Sequence, residues 1–417
     1  MEGNSITERL REVTTQDSRE LERVCDDVAR GLFEAGTEPP FDLCSADFAT
    51  DPFLICADFY WRLRFLQRPS VRTAAACARW LDAHAPGPGE MPDAGPRALI
   101  TQKWALGYAF ITRESEETPR ELADAASEVT DSADVAAFVT LYHAGKLRAN
   151  FQFDELHAFL EGSAPAQAAG DAHRRSVLFT ALRAFAAYGS RRLAAEHAGD
   201  LLDHAWYSPQ RTLHTVDVCL NALAVAAPFE GRGELLRDRA GEAAAEWPEN
   251  HMFTFRLAAG LHECREYDEA LAAADLALAL LPATGIRVSH NLFQEQYLAL
   301  RQRILDGRQR AEEEAAHRAE WARQNAAYRK VEARLNSMTG NLLTMVTVFL
   351  AAMAFIISTM QLTYGGDLTL GDRLWLITAQ GGVLLGFCGL VVLGTHLLLR
   401  HRQRPPGRRG PDGRDRQ

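Results

Sequence analysis

The sequence lacks the motifs that identify most enzyme families. It holds no GxxxxGKS/T phosphate loop, no GxGxxG turn after a strand and no GxSxG nucleophile turn. A zinc-protease motif begins at His262 and Glu263, but Glu266 occupies the place of the second histidine. The histidines are solitary, with no cysteine or carboxylate at ligand spacing. We therefore predict that the chain is not an enzyme and has no catalytic residues, cofactor or metal ligands.

The sequence also lacks paired cysteines. Its seven cysteines are scattered, with no CxxC pair, through apolar helical patterns. An odd, scattered set indicates reduced core thiols in a cytoplasmic protein rather than a disulfide framework. Residues 1–32 are charged and contain no apolar stretch, so they do not form a secretory signal. We therefore expect the region before residue 341 to stay in the cytoplasm.

Lysine is nearly absent. The three lysines are Lys103, Lys146 and Lys330, the other basic residues are arginine, and alanine is abundant, as in proteins of GC-rich bacterial genomes. The formal net charge is −10. Because phosphate binding needs a basic face, this charge predicts that nucleic acid is not a partner.

Long uncharged stretches occur only after Asn341. Residues 342–363 carry no charged side chain, and residues 374–399 carry none apart from His396 near their end. A helix over the first stretch is roughly 33 Å long, enough to cross the hydrocarbon core of a bilayer. Arginine and lysine flank the pair on its outer ends, and the short turn between the stretches is not basic. This asymmetry predicts a transmembrane hairpin in the inner (plasma) membrane, multi-pass, with both termini cytoplasmic.

The second stretch is rich in glycine, and Gly382 with Gly386 forms a GxxxG pattern. Small residues at this spacing let two helices approach closely in lipid. Two interpretations are open: the glycine face docks on the first span of the same chain, or it packs against another subunit. Gln361 and Gln380 are candidates for bonds between helices, for lining a wet path, or for solvation at the interface.

Upstream of the hairpin, apolar residues recur at three and four spacing, and alternating strand patterns are almost absent. Proline and glycine punctuate the breaks. The pattern predicts an all-α fold built from helix pairs. The predicted helices are 53–67, 70–85, 97–113, 131–145, 173–188, 191–205, 209–226, 232–247, 251–264, 267–281 and 286–306.

The clearest helix pair covers residues 251–282 and resembles a tetratricopeptide repeat. The resemblance rests on a leucine and a small residue in the first helix, and on an aromatic residue, two alanines and a terminal proline in the second. These are Leu257, Ala258, Tyr267, Ala270, Ala277 and Pro282. The resemblance implies a helical-hairpin solenoid that binds a cytoplasmic protein or peptide in a groove. The alternative is a plain helical bundle with one repeat-like hairpin.

Residues 307–340 are charged and alanine-rich, and we predict a connector helix that runs into the first span. Trp321, Tyr328 and Leu335 recur every seven residues, with Val331 between the last two. This spacing predicts a narrow seam of the coiled-coil type, weakened by Arg and Asn at other seam positions. Two interpretations are open: the chain forms a homo-oligomer through this helix and the transmembrane helices, or the helix is a single solvated connector.

The predicted organisation is an N-terminal helical segment (1–50), a helical-repeat domain (51–306), a connector helix (307–340), a transmembrane hairpin (341–400) and a disordered arginine-rich tail (401–417). It fits two functions. One is a membrane-anchored scaffold that recruits or senses a cytoplasmic partner. The other resembles, in architecture only, bacterial anti-phage effectors that join a cytosolic sensor to two transmembrane helices and disrupt the membrane.

Overall fold

A computed structural model describes residues 3–13, 18–86, 95–128, 132–190, 192–281, 287–364 and 369–402. In these ranges every regular element is an α-helix and none is a strand, so the predicted all-α class is confirmed. The helices are α1 (Gly3–Arg11), α2 (Ser18–Glu34), α3 (Pro52–Gln67), α4 (Val71–His84), α5 (Pro96–Ile111), α6 (Pro119–Glu128), α7 (Ala133–Ala149), α8 (Phe153–Gly162), α9 (Ala164–Ala168), α10 (Gly170–Arg174), α11 (Val177–Gly189), α12 (Ala195–Trp206), α13 (Leu213–Val225), α14 (Arg232–Glu246), α15 (His251–Glu263), α16 (Tyr267–Ala279), α17 (Arg287–Tyr364) and α18 (Leu370–Arg402).

The predicted helices are present, with ends displaced by a few residues. Local capping fixes several starts: the Asn250 side chain accepts from the backbone N–H groups of Met252 and Phe253 at the beginning of α15, and Asp51 does the same for α3. The periodicity gave no separate helix for α6, α8, α9 or α10, which are short and interrupted. The largest difference is α17, because the predicted helix 286–306, the connector and the first span form one unbroken helix.

The chain divides into two compact units, Met1–Gln309 and Arg310–Gln417, and the boundary falls within α17. In the first, the core begins with tryptophans from α3, α4 and α5: the ring centroids of Trp61 and Trp80 lie 6.1 Å apart, and those of Trp80 and Trp104 lie 6.2 Å apart. All three side chains are buried. Burial of each large apolar side chain contributes about 1.5–3 kcal/mol, so these aromatic residues anchor the first unit.

The later helices of the first unit pack as successive pairs. The pairs α11 with α12, α14 with α15 and α15 with α16 are in close contact, and α11 packs on α13, which in turn packs on α15. The backbones of α14 and α15 nearly touch at Gly260, where an added Cβ atom would lie 2.5 Å from the backbone nitrogen of Arg237. Glycine is therefore required at this crossing.

The second unit contains the remainder of α17 and the whole of α18. Two helices, His290–Gln361 and Leu370–Gly394, are long and apolar enough to cross a membrane. Almost none of the apolar side chains in these windows is buried in the protein, which is unlike the core helix of a soluble domain. The two helices meet through Gln380 of α18, whose side-chain amide donates a hydrogen bond to the Ser358 hydroxyl of α17. Gln380 thus bonds between helices, whereas Gln361 is exposed.

We expect Gly260→Ala to lower the free energy of unfolding by about 1–3 kcal/mol, because the new methyl group would push α15 away from α14. Gly241→Ala is the matched control: its Cβ atom would meet Leu257 at an ordinary 3.8 Å. The control should gain up to about 1 kcal/mol from helix propensity. Urea unfolding of the detergent-solubilised full chain, followed by circular dichroism, measures both. Equal effects of the two substitutions would contradict the close crossing.

Candidate functional site

A set of polar and charged side chains from α5, α7, α13 and α15 comes together in the Met1–Gln309 unit. We call this set the basic recess. Three of its residues follow one another on α13 at intervals of three and four, which places them on one face of that helix. The other residues of α13 are mostly apolar. The members are Lys103, Arg148, His214, Asp217, Asn221 and Arg256.

An ion pair between α7 and α13 lies at the centre of the recess. The guanidinium of Arg148 donates to the carboxylate of Asp217 at 2.6 Å. The two side chains retain only 14% and 19% of their surface. A charge-assisted bond of this length between poorly hydrated partners is strong and fixes both side chains in place.

Arg256 of α15 also lies within the electrostatic influence of Asp217. Its guanidinium donates to the neutral amide oxygen of Asn221 at 2.9 Å. Burial lowers the pKa of Arg256, the nearby Asp217 raises it, and Arg148 lowers it again. The carboxylate of Asp217 therefore faces two guanidinium groups and leaves excess positive charge.

Lys103 of α5 adds a third cation. Its ammonium group lies 3.4 Å from the ring centroid of Phe48, a cation–π contact. The side chain keeps solvent-accessible surface, yet desolvation lowers its pKa to about 8. Lys103 thus remains exposed at the edge of the basic recess. Asp58 and Asp47 act on the lysine in the opposite direction, and Asp58 is itself paired with Arg62 at 2.6 Å.

His214 is uncharged at neutral pH. Desolvation lowers the pKa of His214 to about 4; Asp217 raises it in part, and Lys103 and Arg148 lower it further. The neutral imidazole offers a hydrogen-bond donor and an acceptor beside the three cations.

Aromatic side chains from α5, α15 and α17 border the Arg256 side of the recess. Phe110 stacks on Phe293 with ring centroids 6.1 Å apart, and Phe255 stacks on Tyr297 at 4.3 Å. The Tyr297 hydroxyl is 2.6 Å from Nδ1 of His251. These rings join α5 to the first part of α17 by side chains alone, and they offer apolar surface next to charged groups.

This chemistry suits an anionic ligand. Arginine and lysine recognise carboxylates and phosphates, the amide and imidazole add neutral hydrogen bonds, and the aromatic rings accept apolar side chains. Among the described residues no group of three or more His, Cys, Asp or Glu side chains is arranged to hold a metal ion.

The residues of the tetratricopeptide-like signature lie outside the recess. Ala258, Ala270 and Ala277 are fully buried, and Leu257 and Tyr267 are half-buried, where α15 packs on α16. Pro282 lies outside the described residues. The repeat-like positions therefore contribute to packing, and their role as a family signature stays a prediction.

Gly382 and Gly386 do not contact the first span. A Cβ atom built at either glycine would meet no atom of the described residues within 4 Å. Only Gly381 approaches α17, at 4.0 Å from the ring of Phe355. In the described residues this face of α18 therefore has no neighbour on the first span, and the use of the GxxxG pattern stays a prediction.

The sequence patterns did not single out the recess, because its residues are spread from α5 to α15 and only packing brings them together. One signal was present on α13, where His214, Asp217 and Asn221 form a polar stripe on an apolar helix. A second was Lys103, one of only three lysines in a chain whose other basic residues are arginine.

Comparisons with known proteins give no relative from which a role could be inferred: no family model matches the chain, and no curated protein or solved structure matches it.

His214 should make the protein less stable in mild acid. The pKa of about 4 in the folded protein lies below the ordinary histidine pKa of 6.5, so the unfolded chain binds more protons between these values. The neutral His214 makes its full contribution to the free energy of unfolding above about pH 6.5, and this contribution is lost as the pH falls toward 4. We expect His214→Gln to remove about 2 kcal/mol of the stability difference between pH 7.5 and pH 5.

Urea unfolding of the full chain at both pH values checks this expectation. The pKa values of His251 and His262 are also lowered by burial, so both proteins share that part of the acid sensitivity. An unchanged pH dependence in the variant would show that His214 is not desolvated.

Proposed function

We propose that the protein is a membrane-anchored scaffold whose cytoplasmic helices capture an anionic segment of a partner protein in the basic recess. One observation carries the proposal: the guanidinium groups of Arg148 and Arg256 share the carboxylate of Asp217, and Lys103 acts on the neighbouring His214, in a chain of net charge −10. Desolvating cations is costly, so an excess of them is retained where an anion will neutralise it.

The arrangement of helix pairs supports a repeat groove. The helices α11, α13 and α15 each pack on the next, and α12, α14 and α16 complete the pairs. In stacked helix pairs, residues of successive first helices line one continuous surface. His214 of α13 and Arg256 of α15 occupy such positions. A tetratricopeptide-like solenoid over residues 51–306 is part of this proposal, and a plain bundle with the same recess is the alternative.

A protein segment suits the recess better than nucleic acid does. The cations are gathered in one place rather than along a stripe, and the acidic surface of the whole chain repels a polyanion. The stacked rings of Phe110 and Phe293 and of Phe255 and Tyr297 match apolar side chains next to the acidic ones of a peptide. We infer a short acidic peptide as ligand.

The two apolar helices serve as the anchor. Arginine and lysine precede the first span, arginine follows the second, and the connecting turn is not basic. We propose on this basis that both termini lie in the cytoplasm, so that the recess meets cytoplasmic partners.

A membrane-disrupting effector is the second candidate function. It is favoured by the open glycine face of α18 and by the side-chain oxygen of Gln380, which is buried without a hydrogen-bond partner in the described residues. Both features suit packing against further transmembrane helices. In this scheme the cytoplasmic helices detect a trigger and clustered hairpins permeabilise the bilayer, as in the bacterial defence systems that the architecture resembles.

The scaffold predicts charge-selective peptide binding. A fluorescein-labelled decapeptide of alternating Glu and Gly should bind the full chain in nanodiscs, whereas the Lys and Gly counterpart should not. Lys103→Gln and Arg256→Gln should each weaken binding about tenfold, since a hydrogen bond to a charged group contributes about 1.5–3 kcal/mol. Arg72→Gln is the control, because Arg72 is exposed and pairs with Asp124 away from the recess.

Fluorescence anisotropy at low and physiological salt measures the binding. Equal binding of the lysine peptide, or equal effects of Arg72→Gln and Arg256→Gln, would contradict an anion-binding recess.

The two candidate functions differ in their effect on membrane potential. An anchor leaves the potential unchanged when the full chain is induced, and we expect this result with a potential-sensitive dye. An effector depolarises the membrane with the full chain but not with a chain that ends before Asn336. If depolarisation occurs, Gly382→Leu with Gly386→Leu should abolish it by blocking close helix approach. Such a depolarisation would contradict the scaffold function and support the effector function.

A further inference from the structure

A row of large apolar side chains is exposed on the part of α17 that precedes the first span. Trp321 is 63% and Tyr328 73% exposed, and Val331, Leu335 and Met338 are also more than half exposed. They are spaced at seven, three and four residues, so they share one side of the helix. We call this row, with its continuation in the span, the heptad seam. In the described residues of this unit no other helix covers it.

The seam continues without a break into the first span, because α17 is one helix from Arg287 to Tyr364. Its first position recurs every seven residues from Trp321 to Ile356. The second position of the seam follows three residues after the first in each seven-residue repeat, and the residues at this position are apolar from Val331 to Ala352. The continuation within the span consists of Leu342, Met345, Phe349, Ala352 and Ile356, and all five are exposed.

The helix α18 packs on a different side of α17. The span residues with reduced exposure are Ala351, which is buried, and Thr344, Thr347, Phe355, Ser358 and Thr359, which are half-buried. Ser358 accepts the hydrogen bond of Gln380, and Phe355 is the neighbour of Gly381. In the described residues the hairpin thus uses a different side of α17 and leaves the heptad seam from Trp321 to Ile356 free.

We infer that the heptad seam is an interface between two copies of this chain, paired parallel and in register. The seam passes from the aqueous part of α17 into the bilayer, so its occupant must be a helix that enters the membrane in the same direction. A second copy inserted in the same way presents an identical seam, which is the requirement of a two-fold symmetric interface. Confinement to one bilayer also raises the effective concentration of the two seams.

The flanking charges agree with a parallel pairing. In a parallel coiled coil the residue before each first position faces the residue five places later on the partner. Along the aqueous part of the seam these three pairs are Glu320 with Asn325, Ala327 with Glu332, and Arg334 with Thr339, and none of them has like charges. Gln324 takes a second position and would face its own copy across the symmetry axis, where two amides can bond to each other.

Cysteine crosslinking tests the pairing in membranes that contain the full chain. Two copies with different affinity tags are co-expressed after Cys44, Cys264 and Cys388 are changed to serine. Leu335→Cys should give, on mild oxidation, a disulfide-linked product of twice the mass that carries both tags. Ala333→Cys is the matched control, because residue 333 lies on the opposite side of the same helical turn. Crosslinking of both sites alike, or of neither, would overturn the inference.

A charge placed in the seam should separate the copies without unfolding the helix. Leu335→Glu should lower the dimer fraction, counted by single-molecule photobleaching in nanodiscs, at least about tenfold, whereas Ala333→Glu should leave it unchanged. A Leu335→Cys product that carries one tag and a different mass would assign the seam to another protein. Equal dimer fractions for the two glutamate variants would also refute the pairing.

Discussion

The carboxylate of Asp217 is the constraint on which the interior of the first unit depends. It receives the guanidinium of Arg148 and moderates the loss of charge on Arg256, and it is the one acidic group of the basic recess. Without it, two poorly hydrated cations from α7 and α15 would face each other across α13, at a cost of about 3–5 kcal/mol. Asp217 also offsets part of the desolvation that lowers the pKa of His214. The carboxylate of Asp217 therefore serves both the packing of these helices and the charge of the basic recess.

Helical periodicity was sufficient to predict the class of the fold and most of its helices. It succeeds for α15 and α16 because an amphipathic stripe, an Asn250 cap and alanines at the crossing all agree in a short stretch of sequence. Periodicity does not predict the basic recess, because Arg148 and Arg256 both bond to residues of α13, which is distant from them in sequence. No local pattern indicates which faces of distant helices meet. The polar stripe on α13 and the isolated Lys103 were the local traces of the site.

The unbroken course of α17 shows a different limit of sequence reading. Composition changes sharply near residue 341, and such a change suggests a boundary between elements. Backbone groups entering lipid must nevertheless remain hydrogen-bonded within the helix, so the transition from water to bilayer favours continuity over a break. Gly340 lies inside the helix without interrupting it. A change of solvent along a chain is thus no evidence for a change of structure.

The heptad seam of α17 and the glycine face of α18 are different surfaces, and this difference helps to choose between the two candidate functions. In water the seam from Trp321 to Met338 gains from the hydrophobic effect, whereas in lipid its continuation gains only from close packing. A pair held by the aqueous part brings its spans together as a consequence and needs no contact through α18. A pore, in contrast, needs hairpins that pack on one another, and the side suited to that is the open face of Gly382 and Gly386. The inferred pairing through the seam would leave that glycine face unused, which agrees with the proposed anchored scaffold.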